Sequence, residues 1–317
     1  MKVQSKDSAA ALPEAVALIG VDWGTTQRRV YALDSGGALL RQHADADGAL
    51  ACKNRFAESL AAGLEALQAR PTTVVLSGMV GSALGWVPVP YLDGSVALRD
   101  LPAHLHAVPR AAGQPPALIV PGYCLRDAHG QPDVMRGEET QLLGALLLGH
   151  SDGWFVLPGT HSKWVQLQAG RVVALRTYMT GELFDLLGRH GTLAAAAGSD
   201  AAPWDDAAFQ QGLESAPHGA LGQQLFGVRA RVVCGDMPAA HARAYLSGLL
   251  IGAELHDVLR HSDGAARAQS ICLIGTPALA QHYLAAAAPL QMRFEVLDAQ
   301  RAYVRALAHF QTALGTP

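Results

Sequence analysis

The chain writes one short unit twice. From Val16 the run Val-Ala-Leu-Ile-Gly-Val leads into Asp22-Trp23-Gly24-Thr25-Thr26, and Arg29-Val30-Tyr31-Ala32-Leu33 resumes strand character before the turn signal Asp34-Ser35-Gly36-Gly37. Further along, Trp154-Phe155-Val156-Leu157 enters Pro158-Gly159-Thr160-His161-Ser162-Lys163, continues as Trp164-Val165-Gln166-Leu167 and turns at Ala169-Gly170. A strand, a turn of small hydroxylated residues and a returning strand cannot bury its own faces, so each copy has to open a sheet of its own. A chain of 317 residues also exceeds what one core usually organises. Two α/β domains, each led by a hairpin, are the expectation.

The segments downstream of each hairpin support that division. In the first half come a helical pattern over Phe56–Ala69, a buried strand over Thr73–Leu76 and the glycine-bearing turn Ser77-Gly78-Met79-Val80-Gly81-Ser82. Pro88 to Pro121 reads as irregular, cleft-lining loop around the strand Ala117–Val120. An apolar helix over Gln141–Leu148 then stops at His150-Ser151-Asp152-Gly153, which sets a boundary between residues 15–150 and 151–317. The second half continues with a helix over His241–Leu259, a strand over Ser270–Ile274, the loop Gly275-Thr276-Pro277, a helix over Ala278–Ala287 and a strand over Phe294–Leu297. A last helix, near Ala302–Leu314, is expected to return to the first domain.

Half the residues are apolar and 16% are charged, which excludes a disordered chain, and a formal charge of −3 with no basic cluster argues against nucleic acid and anionic membrane as partners. Small molecules fit better, and a homodimer is compatible with the composition. Cys52, Cys124, Cys234 and Cys272 are far apart and form no CxxC pair, as expected of reduced thiols in a cytoplasm. Met1–Glu14 has neither the apolar core of a signal peptide nor the length of a span, and reads as a frayed tail.

The two turns carry the first chemical suggestion. Asp22, Gly24, Thr25 and Thr26 can bring backbone N–H groups and hydroxyls to phosphate oxygens, with Asp22 holding magnesium through water. Gly159, Thr160, His161, Ser162 and Lys163 form the matching turn, and two such turns facing across a cleft would clamp a triphosphate. Neither is a GxxxxGK[ST] loop, and no GxGxxG is present. Gly275 and Thr276 offer a third small-residue turn, before a helix. Phosphoryl transfer to an alcohol calls for a carboxylate that accepts the hydroxyl proton. Glu138 and Glu139 stand together at a helix start, where capping explains one acid but not two, so either is a candidate general base. An acidic substrate would be recognised by arginine, for which Arg29 and Arg136 qualify. Ser77, Gly78, Met79, Trp86, Gly181 and Glu182 are candidate pocket walls.

Taken together, Ile19-Gly20-Val21-Asp22-Trp23-Gly24-Thr25-Thr26, Ser77-Gly78-Met79-Val80-Gly81-Ser82, Met135-Arg136-Gly137-Glu138-Glu139-Thr140-Gln141, Pro158-Gly159-Thr160-His161-Ser162-Lys163-Trp164-Val165, Met179-Thr180-Gly181-Glu182-Leu183 and Leu246-Ser247-Gly248-Leu249-Leu250-Ile251-Gly252-Ala253-Glu254 resemble the 2-dehydro-3-deoxygalactonokinase family, from about residue 17 onward. The resemblance implies two actin-like (ribonuclease H-like) domains with an interdomain active-site cleft. It also implies ATP and Mg²⁺ as co-substrate and metal, and phosphorylation of 2-dehydro-3-deoxy-D-galactonate at its 6-hydroxyl in D-galactonate catabolism. In the wider superfamily the turn matching Gly275-Thr276 packs against adenosine. Where wider carbohydrate kinases carry Asp-Gln, this chain has Thr140-Gln141 after two glutamates, which also resembles exopolyphosphatases. A kinase for another sugar acid, such as 2-dehydro-3-deoxygluconate, and a phosphatase of the same fold are the competing readings.

Overall fold

A computed structural model describes residues 15–196, 203–261 and 269–315. They form two compact units: one from the chain up to Val89, Pro102–Pro121 and Val304 onward, the other from Pro90–Leu101 and Gly122–Tyr303.

The first unit contains β1 (Leu18–Trp23), β2 (Arg28–Leu33), β3 (Leu39–Asp45), α1 (Phe56–Ala66), β4 (Thr73–Gly78), β5 (His106–Ala107) and β6 (Ala117–Ile119). They make a sheet in the order β3-β2-β1-β4-β6-β5, antiparallel from β3 to β1 and parallel across β1, β4 and β6. Parallel pairing at the centre demands apolar strands on both faces. Leu18, Ile19, Val21 and Trp23 of β1 are accordingly buried, as are Val74, Val75 and Leu76 of β4. Helix α1 adds Phe56 and Leu60 to this core and stops at Ala66, short of the expected Ala69, because Gln68 takes a left-handed conformation (φ 49°).

The second unit opens with a small hairpin, β7 (Tyr123–Arg126) and β8 (Pro132–Met135), and with α2 (Glu138–Leu147). Its main sheet contains β9 (Gly153–Leu157), β10 (Ser162–Gln168) and β11 (Arg171–Tyr178). Four helices come next: α3 (Thr180–Arg189), α4 (Gly191–Ala196), α5 (Asp206–Ser215) and α6 (Leu221–Val233). Then come α7 (Ala242–His261), β12 (Ser270–Gly275), α8 (Pro277–Ala287), β13 (Arg293–Asp298) and α9 (Ala299–Ala313). The sheet order is β11-β10-β9-β12-β13, with β9 antiparallel to β10 and parallel to β12. That repeats the first five strands of the other sheet, β3-β2-β1-β4-β6, without a counterpart of β5, so the duplicated sequence is a duplicated topology. Trp164, Val156, Ile271 and Leu273 pack with Leu246, Leu249 and Tyr283 of α7 and α8 into the second core.

Residues 122–150, with α2, group with the second unit. Helix α2 sits against the start of α9, so close that a Cβ on Gly144 would come within 1.7 Å of the Ala302 carbonyl oxygen. From Val304 the same helix belongs to the first unit, where Leu307 fills the space over Gly20 and Gln311 donates to the carbonyls of Asp34 and Ser35. No helix among the described residues is long and apolar enough to cross a membrane.

Candidate functional site

In the first unit the turn between β1 and β2 is backed by residues 47–50. The Trp23 indole N–H donates to the Asp47 carbonyl, and the amides of Ala49 and Leu50 donate to the carbonyls of Gly24 and Thr25. This fixes the turn while Thr25 stays half-exposed and Thr26 exposed. Asp22 closes β1. Its Oδ2 accepts from the Arg29 guanidinium at 3.0 Å. Burial pushes the Asp22 carboxyl up from the usual carboxylate range, and the Arg29 charge offsets part of that. The β1–β4 register sets Ser77 beside Asp22 and Gly78 beside Trp23. Met79 and Trp86 are partly buried against the first core, and Trp86 stacks on Phe56 (6.3 Å, 11°) and lies 5.5 Å from the Arg110 guanidinium carbon.

In the second unit the matching turn leaves Gly159, Thr160 and His161 exposed. The next two side chains turn inward. Ser162 donates to Glu254 at 2.7 Å, while the Lys163 ammonium donates to the Val134 carbonyl at 2.7 Å and to Thr177 at 3.0 Å. Helix α3 abuts the turn: the Glu182 amide donates to the Thr160 carbonyl at 2.8 Å, and the Glu182 carboxylate lies 2.6 Å from His161 Nε2. A Cβ at Gly181 would meet the Gly159 carbonyl oxygen at 2.2 Å, so only glycine permits this approach. Gly275 is buried at the end of β12, and exposed Thr276 stands at the N-cap position of α8 without a capping side-chain bond.

The carboxylate pair opens α2 as the sequence suggests, after Gly137 at φ 114°, a conformation open to glycine. The two acids are unequal. Glu138 is half-buried and accepts the Arg136 amide at 3.0 Å. Glu139 has no exposed surface; it accepts the Gly137 amide at 2.6 Å and the Thr140 hydroxyl at 3.3 Å. Burial, reinforced by the Glu138 charge, pushes the Glu139 carboxyl up to about 8. Beside them Arg136 is 9% exposed, its guanidinium carbon 4.2 Å from the centre of the Tyr91 ring. Sequence reasoning gave Glu254 no role, although it ends the family-like run from Leu246 and stands as an acid inside an apolar stretch of α7. The same reasoning missed buried Arg28, which pairs with Asp45 at 2.6 Å.

The family model described as 2-keto-3-deoxy-galactonokinase matches residues 22–310. A Rhizobium meliloti (strain 1021) protein named "Probable 2-dehydro-3-deoxygalactonokinase DgoK1" is 38% identical over 288 residues, covering 89% of this chain and 92% of that protein. The 2-dehydro-3-deoxygalactonokinase of Escherichia coli (strain K12) is 36% identical over 270 residues, covering 84% and 87%. A crystal structure from Sinorhizobium meliloti under the same enzyme name superposes with a TM-score of 0.84 at 35% identity, covering 94% of this chain and 96% of that one. Component A of the (R)-2-hydroxyglutaryl-CoA dehydratase of Acidaminococcus fermentans shares the fold, with a TM-score of 0.51 at 10% identity, covering 95% and 100%.

Proposed function

Because the chain belongs to the 2-keto-3-deoxy-galactonokinase family of phosphotransferases, we propose that it transfers the γ-phosphoryl group of ATP to the 6-hydroxyl of 2-dehydro-3-deoxy-D-galactonate. The products would be the 6-phosphate, ready for aldol cleavage in D-galactonate catabolism, and ADP. The observation that carries the reading is the unequal pair of acids at the start of α2.

A base for this reaction has to be reached by the substrate hydroxyl. Glu139 is sealed from solvent and its carboxyl is pushed up to about 8, whereas Glu138 is partly exposed. We assign Glu138 as the general base. It takes the hydroxyl proton as the oxygen attacks the γ-phosphorus in line and the bond to the ADP oxygen breaks. Glu139, kept neutral, spares Glu138 a second negative charge and ties down the Gly137 turn. Gly24, Thr25 and Thr26, together with Gly159, Thr160 and His161, are assigned to the ATP phosphates through amides, hydroxyls and imidazole. Gly275 and Thr276 are assigned to the nucleoside.

Magnesium in such sites is held mainly by phosphate oxygens and water, with one or two carboxylates. Among the described residues no three acids, histidines or cysteines cluster as a metal cage, and Asp22 supplies a hard oxygen donor at the foot of the β1–β2 turn. That donor set fits Mg²⁺, which when bound neutralises phosphate charge. Arg136, oriented by Tyr91, is the stronger candidate for the substrate carboxylate, since Arg29 is paired with Asp22. Ser77, Gly78 and Met79 would line the sugar side. Four free cysteines accord with a cytoplasmic setting.

The test is a coupled ADP-release assay with Mg²⁺ and ATP, offering 2-dehydro-3-deoxygalactonate, 2-dehydro-3-deoxygluconate, plain aldonates or no sugar. Turnover on the first alone is expected. Phosphate release without any sugar would overturn the reading in favour of a phosphatase.

A further inference from the structure

Among the described residues, Glu254 is the most densely hydrogen-bonded acid of the second unit. It lies 2% exposed on α7, and its Oε1 accepts from Ser162 Oγ at 2.7 Å, Trp164 Nε1 at 2.7 Å and the Tyr283 hydroxyl at 3.1 Å. Its Oε2 accepts from Tyr283 at 2.9 Å and from the Thr180 hydroxyl. Four donors converge on two oxygens, an arrangement suited to a carboxylate and poorly suited to an apolar replacement, which would strand all four.

The donors have informative positions. Ser162 is the residue directly after His161, and Thr180 is the first residue of α3, directly before Gly181 and Glu182. Those two residues touch the β9–β10 turn at Gly159, Thr160 and His161. Tyr283 belongs to α8, the helix that starts at the Gly275-Thr276 turn. A single buried group therefore anchors the strand leaving the turn, the helix end pressed against it and the helix after the other small-residue turn.

We infer that Glu254 is a positioning residue for nucleotide binding, acting through Ser162 and Thr180, and that Gly181 and Glu182 brace the phosphate turn and do not form a wall of the sugar pocket. The inference rests on the reading that the β9–β10 turn holds ATP phosphates. Amide donors in such a turn bind an anion only when aimed together, so loosening either anchor costs affinity for nucleotide and leaves sugar-acid affinity alone.

Calorimetric titration with Mg²⁺·ATP and, separately, with 2-dehydro-3-deoxygalactonate tests this on wild type, Thr180→Val, Thr180→Ser and Glu254→Gln. Thr180→Val keeps the side-chain shape and removes only the hydroxyl. It should weaken ATP binding about tenfold, Thr180→Ser should restore it, and neither should change sugar-acid binding. Glu254→Gln should track Thr180→Val; if it does not fold, the Val and Ser pair still decides. ATP affinity within twofold of wild type in Thr180→Val, or a loss confined to the sugar acid, overturns the inference. If wild type binds ATP but turns over no acceptor, only the kinase reading fails. If it binds no ATP, both fall.

Discussion

Asp22 Oδ2 and Arg29 Nη1 stand 3.0 Å apart, on residues directly opposite each other in the β1–β2 ladder. The contact offsets part of the rise that burial imposes on the Asp22 carboxyl. Removing the guanidinium by Arg29→Ala therefore raises the Asp22 pKa further. Since the ionised form is the one that attracts magnesium, the acid limb of the kcat/KM profile should move to higher pH. A limb that stays in place would show that Asp22 does not govern it. Asp22→Asn should lower kcat/KM by about tenfold or more while the melting temperature moves by no more than about 4 °C.

Glu138→Gln should reduce kcat by ~10²–10⁴, the range a positioned general base supplies, with little change in the KM for ATP. Glu139→Gln should cost less, because an amide also fills a buried neutral site. Steady-state kinetics on both variants decides between them. The reverse ranking would make Glu139 the base.

The buried acid makes a second, separate prediction, about stability. An acid whose pKa is raised in the folded state contributes stability below its unfolded pKa and loses it as pH rises towards the folded value. For Glu139 that window runs from the ordinary carboxylate range to about 8. Glu139→Gln has no such proton to lose, so its stability advantage over wild type should grow between pH 5 and pH 8, by up to about 1.4 kcal/mol per pH unit. Chemical denaturation across that range measures the difference, and a gap that does not change with pH would count against the burial of this group.

Two glycine substitutions should act in opposite directions. Gly144→Ala drives a methyl into the Ala302 carbonyl and should lower stability by about 1–3 kcal/mol or more. Gly227→Ala on α6 meets nothing within 4 Å and should raise stability by about 0.5–1 kcal/mol through helix propensity. Urea midpoints of the two variants give both numbers.

The repeated hairpins and the strands β4, β6, β9 and β12 were legible because strands paired in parallel and buried on both faces leave apolar runs bounded by glycine turns. The acid pair at α2 was legible from its place at a helix start. Less visible were α3 and α6, whose apolar residues stay largely at the surface of the core: α3 has no fully buried residue and α6 only Val228. The inward turn of Lys163 could not be read either. Along a strand, facing is set by the pleat, and its partners Val134 and Thr177 come from other strands of the unit. Glu254 was hidden for a related reason, since its four donors lie between 29 and 92 residues away in sequence.

The Leu307 side chain covering Gly20 also bears on how the chain is made. Strand β1 is synthesised well before α9, yet β1 and the part of α9 from Val304 belong to the same unit. Until Val304 and the residues after it are synthesised, the back of β1 stays uncovered, and the first unit must wait while nearly the whole second unit is translated. Ribosome-bound chains halted before Val304 should consequently be captured by chaperones through their N-terminal half, and the vectorial order of synthesis is inverted in the order of completion.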